Sequence, residues 1–317
     1  MPWCNYLRLL RPDAPSDALF SLFSFWFDMK KILPLLIGSC VVLVVVGALV
    51  HRRPSRCHVT ALDVGQGDAI YIRTPDGQDI LIDGGPDDQV VDRLSQQLPA
   101  GDRDIELMVL THPHADHVNG LVAVTERYEV RQVLETGLPY EQTAYATWHA
   151  MIRDRHIPVQ IATAGVSIAV GAAQLTVLWP ALDLHQKNIV GDNAAEGGGI
   201  NDSSVVLKLA CGGSAAMLMG DASSEIEDRL LDGGVDVRAD LLKVGHHGSR
   251  FSSSRRFLET VQPVWTVLSV GVGNSYHHPH PTTLLRLVQL GSHVLRTDEL
   301  GDVEMISDGR GGWERGP

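Results

Sequence analysis

Thr111-His112-Pro113-His114-Ala115-Asp116-His117 places four candidate metal ligands within six consecutive residues, directly after the apolar run Ile105 to Leu110. Three imidazoles and a carboxylate gathered in a folded site are hard to explain as packing. Neutral imidazole nitrogens beside a carboxylate instead suit zinc or a similar divalent ion. The competing reading, a solvated His-rich turn after a strand, leaves the repeated histidines beside an Asp unexplained. The stretch therefore starts the reading at a metallohydrolase whose other ligands lie elsewhere in the chain.

Outward from this motif the chain alternates strand and helix patterns. On its N-terminal side, Val59 to Val64, Ala69 to Arg73 and Gln78 to Ile82 are short β-type runs, and Asp76-Gly77 makes a hairpin turn between the last two. These three should run from a sheet's edge to its centre. Val90, Val91, Leu94 and Leu98 fall at helical spacing, and Ile105 to Leu110 reads as a buried strand that delivers the histidines at its carboxyl end. On the other side, Gln142 to Arg155 reads as a helix, Leu175 to Trp179 as a strand and Asp183 to Gly199 as a polar, Gly-rich loop. Strands at Ser204 to Ala210, Ala215 to Met219, Leu241 to Val244 and Val264 to Val270 then alternate with helices at Ser223 to Leu231 and Thr282 to Leu290. This predicts an α/β protein, a four-layer αββα sandwich with its loops along one rim for chemistry.

The 317 residues carry 26 Lys and Arg against 38 Asp and Glu, a formal charge of −12. That balance argues against coating long nucleic acid by electrostatics alone. Lys243, Arg250, Arg255 and Arg256 form a local basic cluster, readable as an anion site or as an ordinary solvated face. Cys4, Cys40, Cys57 and Cys211 show neither a CxxC pair nor a regular spacing, so no zinc ribbon or disulfide scaffold is expected.

Ile32 to Val50 contains no charged residue and is long enough to cross a bilayer as one helix. Met29-Lys30-Lys31 ahead of it resembles the basic start of a secretory signal, which leaves Met1 and Met29 as alternative starts. Ile37-Gly38-Ser39-Cys40 offers a lipoprotein cleavage site, but the apolar run continues past it, which favours an uncleaved anchor. The expected organisation is an N-terminal extension (1–28), a membrane anchor and linker (29–56) and a hydrolase domain (57–317). The hydrolase domain is expected outside the cytoplasm.

His112-Pro113-His114-Ala115-Asp116-His117 matches an HxHxDH signature, and five further segments accompany it. They are Leu62-Asp63-Val64-Gly65-Gln66-Gly67-Asp68-Ala69, Leu81-Ile82-Asp83-Gly84-Gly85, Asn201-Asp202-Ser203-Ser204, Met219-Gly220-Asp221-Ala222 and Lys243-Val244-Gly245-His246-His247-Gly248-Ser249. With Asn274, His278-Pro279-His280-Pro281 and Arg296-Thr297-Asp298-Glu299, the chain from about Val59 to Ser307 resembles the metallo-β-lactamase superfamily. Within it, the likeness is to the domain found in ComEC-type DNA-uptake (competence) proteins. The motifs are specific for the fold and less so for an activity.

The resemblance implies two divalent metal ions, zinc or manganese. His112 and His114 would bind one, Asp116 and His117 would face the second, and Asp221 would bridge them. His246 would complete the second site, with His247 as the alternative. Asp83 is expected to orient a ligand, Asp63 and Asp68 to hold loop geometry, and Gly65 and Gly67 to let the backbone turn beneath the metals. His149, His156 and His185 lack the motif context of a further first-site ligand. The expected chemistry is hydrolysis by a metal-activated water, with Asp116 or Asp221 handling protons. For a phosphodiester, Ser249, Lys243, His247 and His278 are candidates for phosphate contact or leaving-group protonation. The leading expectation is a membrane-anchored phosphodiesterase or nuclease, with single-stranded DNA as a substrate. Alternatives are a lactonase or β-lactamase, and a non-catalytic metal-binding module that partners a membrane protein.

Overall fold

In the computed structural model, residues 56–181 and 199–317 are described. The apolar run Ile32 to Val50, the extension 1–28, His185 and most of the expected Gly-rich loop lie outside them. Among the described residues no helix is long and apolar enough to cross a membrane.

The first half begins as an antiparallel meander of β1 (His58–Ala61), β2 (Ile70–Arg73) and β3 (Asp79–Ile82). The Asp76-Gly77 turn closes its hairpin with Thr74 N donating to Gln78 O, and Gly77 at φ 86°. Helix α1 (Gln89–Gln97) follows, then β4 (Asp104–Ile105) and β5 (Leu107–Val109), so the expected single strand is interrupted at Glu106. Helix α2 (Ala115–Arg127) comes next, then β6 (Glu129–Val130), β7 (Val133–Glu135), α3 (Thr143–Asp154), β8 (Val159–Ile161), β9 (Ser167–Val170) and β10 (Ala173–Trp179). The second half runs β11 (Val206–Cys211), β12 (Ser214–Leu218), α4 (Ser224–Asp232), β13 (Leu241–Lys243), α5 (Arg255–Val261), β14 (Trp265–Leu268), α6 (Pro281–Leu290) and β15 (His293–Arg296). Helix α7 (Thr297–Leu300), β16 (Val303–Ser307) and β17 (Trp313–Arg315) close the chain.

Two main sheets result. One has the order β17-β16-β1-β2-β3-β5-β7-β8 and the other β15-β14-β13-β12-β11-β10-β9, with β4 and β6 paired separately. The C-terminal β16 and β17 join the sheet of the first half, so β1 lies two strands inside the edge where the sequence placed it. Side-chain alternation explains the layers. In β5, Leu107 and Val109 face the core between the sheets, whereas Met108 faces α1, α2 and α3. In β12, Ala216 and Leu218 face the inter-sheet core and Met217 faces α4, α5 and α6. The order of layers is α/β/β/α, as the sequence pattern predicts.

One covalent tie was not legible. Cys57, preceding β1, and Cys211, ending β11, are both buried and form a disulfide between the two sheets, 154 residues apart in sequence. The spacing carried no signal because a two-cysteine bridge has no framework to repeat.

Candidate metal centre

Strand β5 ends at Val109, and the chain passes through Thr111 and His112 before α2 starts at Ala115. Asp116 and His117 therefore stand in the first turn of a helix and His114 at its N-cap position. Sequence reading assigned no helix here, although Val118, Leu121 and Val124 recur at helical spacing and are all buried.

Each imidazole is turned by a specific partner. Asp83 accepts from Thr111 N and Thr111 Oγ1, both at 2.7 Å, and its Oδ2 lies 2.8 Å from His117 Nδ1. His117 Nε2 is thereby aimed away, 3.5 Å from Asp221 Oδ2. His247 Nδ1 lies 3.0 Å from the carbonyl of Ser269, and its Nε2 stands 3.4 Å from Asp116 Oδ2 and 3.6 Å from Asp221 Oδ2. His112 Nε2 is 3.9 Å from Asp221 Oδ2 and 3.0 Å from His114 Nδ1. Ser204 Oγ accepts from Asp221 N and lies 3.3 Å from His112 Nδ1, so the Asn201–Ser204 motif braces both residues.

Ligand atoms from His112, His117 and Asp221, and from Asp116, His117 and His247, fall within 4.8 Å of one another. Two further triads, Asp68 with Asp83 and His117 and Asp68 with Asp221 and His247, share that spacing. His247 belongs to these groups and His246 to none of them. His246 Nε2 is instead 3.3 Å from Asn201 Nδ2 and 3.8 Å from Asp221 Oδ2. Both neighbours thus face Asp221, with His247 in the tighter groups and His246 beside them. The turn that carries them is strained, with φ of 48° at His246 and 50° at His247, and Asp83 shares this left-handed conformation at 61°. Such residues cost about 1–3 kcal/mol each and persist where surrounding structure holds them.

The electrostatics fit a cation. Burial works against charge on Asp221, but His247, His117 and His246 hold its carboxyl well below the usual range. Asp116 is likewise held low against burial by His117 and His247, and Asp68 by Lys243 and His247. The reciprocal effect raises His117 well above an ordinary imidazole against its burial, chiefly through Asp221 and Asp83. His247 is pushed up to about 10 against burial, chiefly by Asp221 and Asp68. Ionised carboxylates thus hold protons on two imidazoles, and a divalent cation supplies the same positive charge. His117 Nε2, His247 Nε2 and Asp221 Oδ1 are buried and complete no hydrogen bond, so these donor atoms fit a metal ion. An all-nitrogen-and-oxygen donor set suits zinc, manganese or iron.

Several expectations are corrected. Asp68 does more than shape a loop: it is buried, and Lys243 Nζ donates to its Oδ2 at 2.7 Å. That pairing, with Lys243 only 3% exposed, removes the lysine from phosphate contact. Ser249 is buried, and its Oγ accepts from Phe251 N in the turn that follows the His pair. Arg255 pairs with Glu259, and Arg256 with Asp228 and Asp232, which makes most of the basic cluster a neutralised surface. His149 pairs with Glu135 at 3.0 Å, and His156 follows the end of α3.

The remaining expectations have clear places. Asp63 Oδ1 accepts from Gly65 N, holding the loop. Gly67, at φ 151°, passes so close to α2 that a Cβ there would sit 2.3 Å from Asp116 O. His278 stands beside the centre, its ring 5.4 Å from that of His246 and 6.5 Å from that of His247. Burial, then His246 and His247, press it down to about 4, so it is neutral at pH 7.

A family profile described as the metallo-beta-lactamase superfamily matches residues 62–272. ComE operon protein 3 of Bacillus subtilis is 28% identical over 268 residues, covering 79% of this chain and 33% of that protein. Competence protein ComA of Neisseria gonorrhoeae is 28% identical over 261 residues, covering 80% and 33%. The chain thus spans about a third of the length of these curated relatives. Among solved structures, the metallo-beta-lactamase fold protein YhfI from Bacillus subtilis superimposes with a TM-score of 0.53 at 12% identity, covering 80% of this chain and 100% of that one. This structural likeness speaks to the fold alone.

Proposed function

The chain belongs to the metallo-beta-lactamase superfamily, and we propose that it is a divalent-metal-dependent phosphodiesterase acting on single-stranded DNA. The observation that carries the reading is the convergence of His112, His117, Asp116, Asp221 and His247. The likeness to a protein named for competence directs the choice of DNA over other phosphodiesters.

In this reading His112, His114 and Asp221 would hold one cation, and Asp116, His117 and His247 would hold another. When bound, such cations polarise the scissile group and acidify the attacking water. Asp83 and the Ser269 carbonyl fix the Nδ1–H tautomers of His117 and His247, which leaves Nε2 of each free to ligate. Asp116, with 31% of its side chain exposed, is the carboxylate of the centre that reaches the open side and can take up the water's proton. Neutral His278 beside the centre serves the substrate as a hydrogen-bonding group, not as a cation.

Attachment to a membrane through residues 32–50, with the hydrolase domain outside the cytoplasm, is part of the proposal. A buried disulfide supports that side, since such bonds persist in oxidising compartments. The test of the activity is hydrolysis of bis(p-nitrophenyl) phosphate and of end-labelled single-stranded DNA with manganese or zinc, beside a His114→Ala control. Turnover lost in the control is expected. Turnover of a β-lactam or lactone in place of the phosphodiester would overturn the substrate assignment.

A further inference from the structure

The loop Gly271–His280 carries the Asn274 and His278-Pro279-His280-Pro281 motif, and the metal centre leaves most of it unexplained. It is braced from within. Asn274 Nδ2 donates to the carbonyls of Gly271 at 3.0 Å and His278 at 2.6 Å, while His278 N donates to Asn274 Oδ1 at 3.0 Å. It is also fastened to the turn that presents His247: His280 N donates to Gly248 O at 2.9 Å. Gly248, at φ 80°, lies so close beneath the loop that a Cβ there would stand 2.8 Å from Pro279 Cβ.

What this braced loop presents to solvent is aromatic. The Tyr276 ring stacks on His278 with centroids 6.0 Å apart and planes 19° apart, and His278 in turn stacks on His247 at 6.5 Å and 30°. Three rings thus lead from a metal-centre histidine to the surface. Tyr276 keeps 66% of its surface exposed, and Val272 on the same loop is exposed as well. A large ring held on a braced loop, and continued inward by two more rings, offers its π-face to a planar ligand.

We propose that Tyr276, stacked on His278, is a nucleobase-binding subsite that holds the base flanking the scissile phosphate. This rests on the phosphodiesterase reading and adds to it the part of the substrate that is recognised. Stacking suits this chain's charge. With a formal charge of −12, and with Arg255 and Arg256 paired to acids, stacking gives a hold on single strands that does not draw on those charges. Base stacking is indifferent to base identity, because every base offers a π-face, so the subsite favours single strands without reading sequence.

The test is fluorescence anisotropy of the full chain in Mn2+ with two cleavage-resistant phosphorothioate probes, oligo(dT) and an abasic oligomer of equal length. Wild type should bind oligo(dT) more tightly than the abasic probe. Tyr276→Ala should weaken oligo(dT) binding roughly tenfold and remove that preference. Tyr276→Phe, which keeps the π-face, should stay within about twofold of wild type. Because Tyr276 is exposed, unchanged thermal melting of both variants is expected and excludes misfolding as the cause. Equal affinity of wild type and Tyr276→Ala for oligo(dT) overturns the subsite, as does a wild type that prefers neither probe. In either case, wild-type turnover of bis(p-nitrophenyl) phosphate shows separately whether the phosphodiesterase reading survives.

Discussion

The two halves of the metal centre are built in opposite ways. In the first half, His112, His114, Asp116 and His117 sit on one continuous stretch between a buried strand and the first turn of α2, and a side chain, Asp83, aims His117. In the second half, Asp221 and His247 arrive from separate loops, a backbone carbonyl aims His247, and two adjacent residues are held in the left-handed conformation. A site delivered by regular structure declares its ligands by spacing, whereas one delivered by a strained turn declares only its neighbourhood.

The largest test of this contrast concerns what holds the halves together. The Cys57–Cys211 bond closes a loop of 154 residues between sheets that also share an apolar core. In the chain-entropy limit it stabilises the fold by about 5 kcal/mol. Urea unfolding with and without reductant, at fixed metal concentration, should show a drop approaching that figure. Coincident midpoints would mean that the apolar interface alone joins the halves.

Next comes the choice between adjacent histidines. His247→Ala should lose metal and lower turnover by more than about 100-fold, since even partners of ligands are worth 10–100-fold. His246→Ala should keep the metal stoichiometry and lose roughly tenfold or less, its ring lying beside Asn201 and at the margin of Asp221 without joining the tight ligand groups. Metal analysis of both variants decides, and the reverse order would restore the ligand expected from sequence.

Legibility followed the same division. Strands β2, β3, β5 and β12 and helices α1, α3, α4 and α6 showed in the sequence because each has one apolar period and a clear terminator. Helix α2 escaped notice because its N-terminus is occupied by the motif, whose ligands mask the helical spacing of Val118, Leu121 and Val124. Strands β16 and β17 pair with the first half across most of the chain, which no local pattern can encode. At the site, the contiguous His112 to His117 stretch is legible as a cluster because its residues share one continuous segment. Asp68 was underrated because its partners, Lys243 and His247, are about 175 residues away, and His247 could be separated from His246 only by backbone angles.

A smaller effect probes the difference in how the two histidines are aimed. Asp83 is buried, and burial raises its carboxyl while His117 and the Thr111 amide pull it back down. Asp83→Asn keeps the volume but sets an amide NH2 among Thr111 and His117, where three hydrogen bonds are now donated to the carboxylate. Metal affinity should fall 10–100-fold in a chelator competition. His247 offers no equivalent handle, because the Ser269 carbonyl that aims it survives any side-chain substitution. Affinity unchanged in Asp83→Asn would mean that backbone holds both halves, and the contrast would fail.

The smallest expected effect concerns charge. Arg255 and Arg256 follow the strained turn in sequence and could pass for its anion-binding arm, yet each is already committed to an acid on α4 or α5. Paired surface charges in water contribute little to either stability or attraction. In the proposed reading, the positive charge that meets a phosphate would be supplied instead at the centre, by cations that Asp116 and Asp221 would hold. Arg256→Ala should therefore change single-stranded DNA affinity by no more than about twofold and leave the slope of affinity against salt concentration as in wild type. A slope reduced by about one would show that the arginine leaves its acids for the phosphate, and would give the second half an electrostatic arm that the first half lacks.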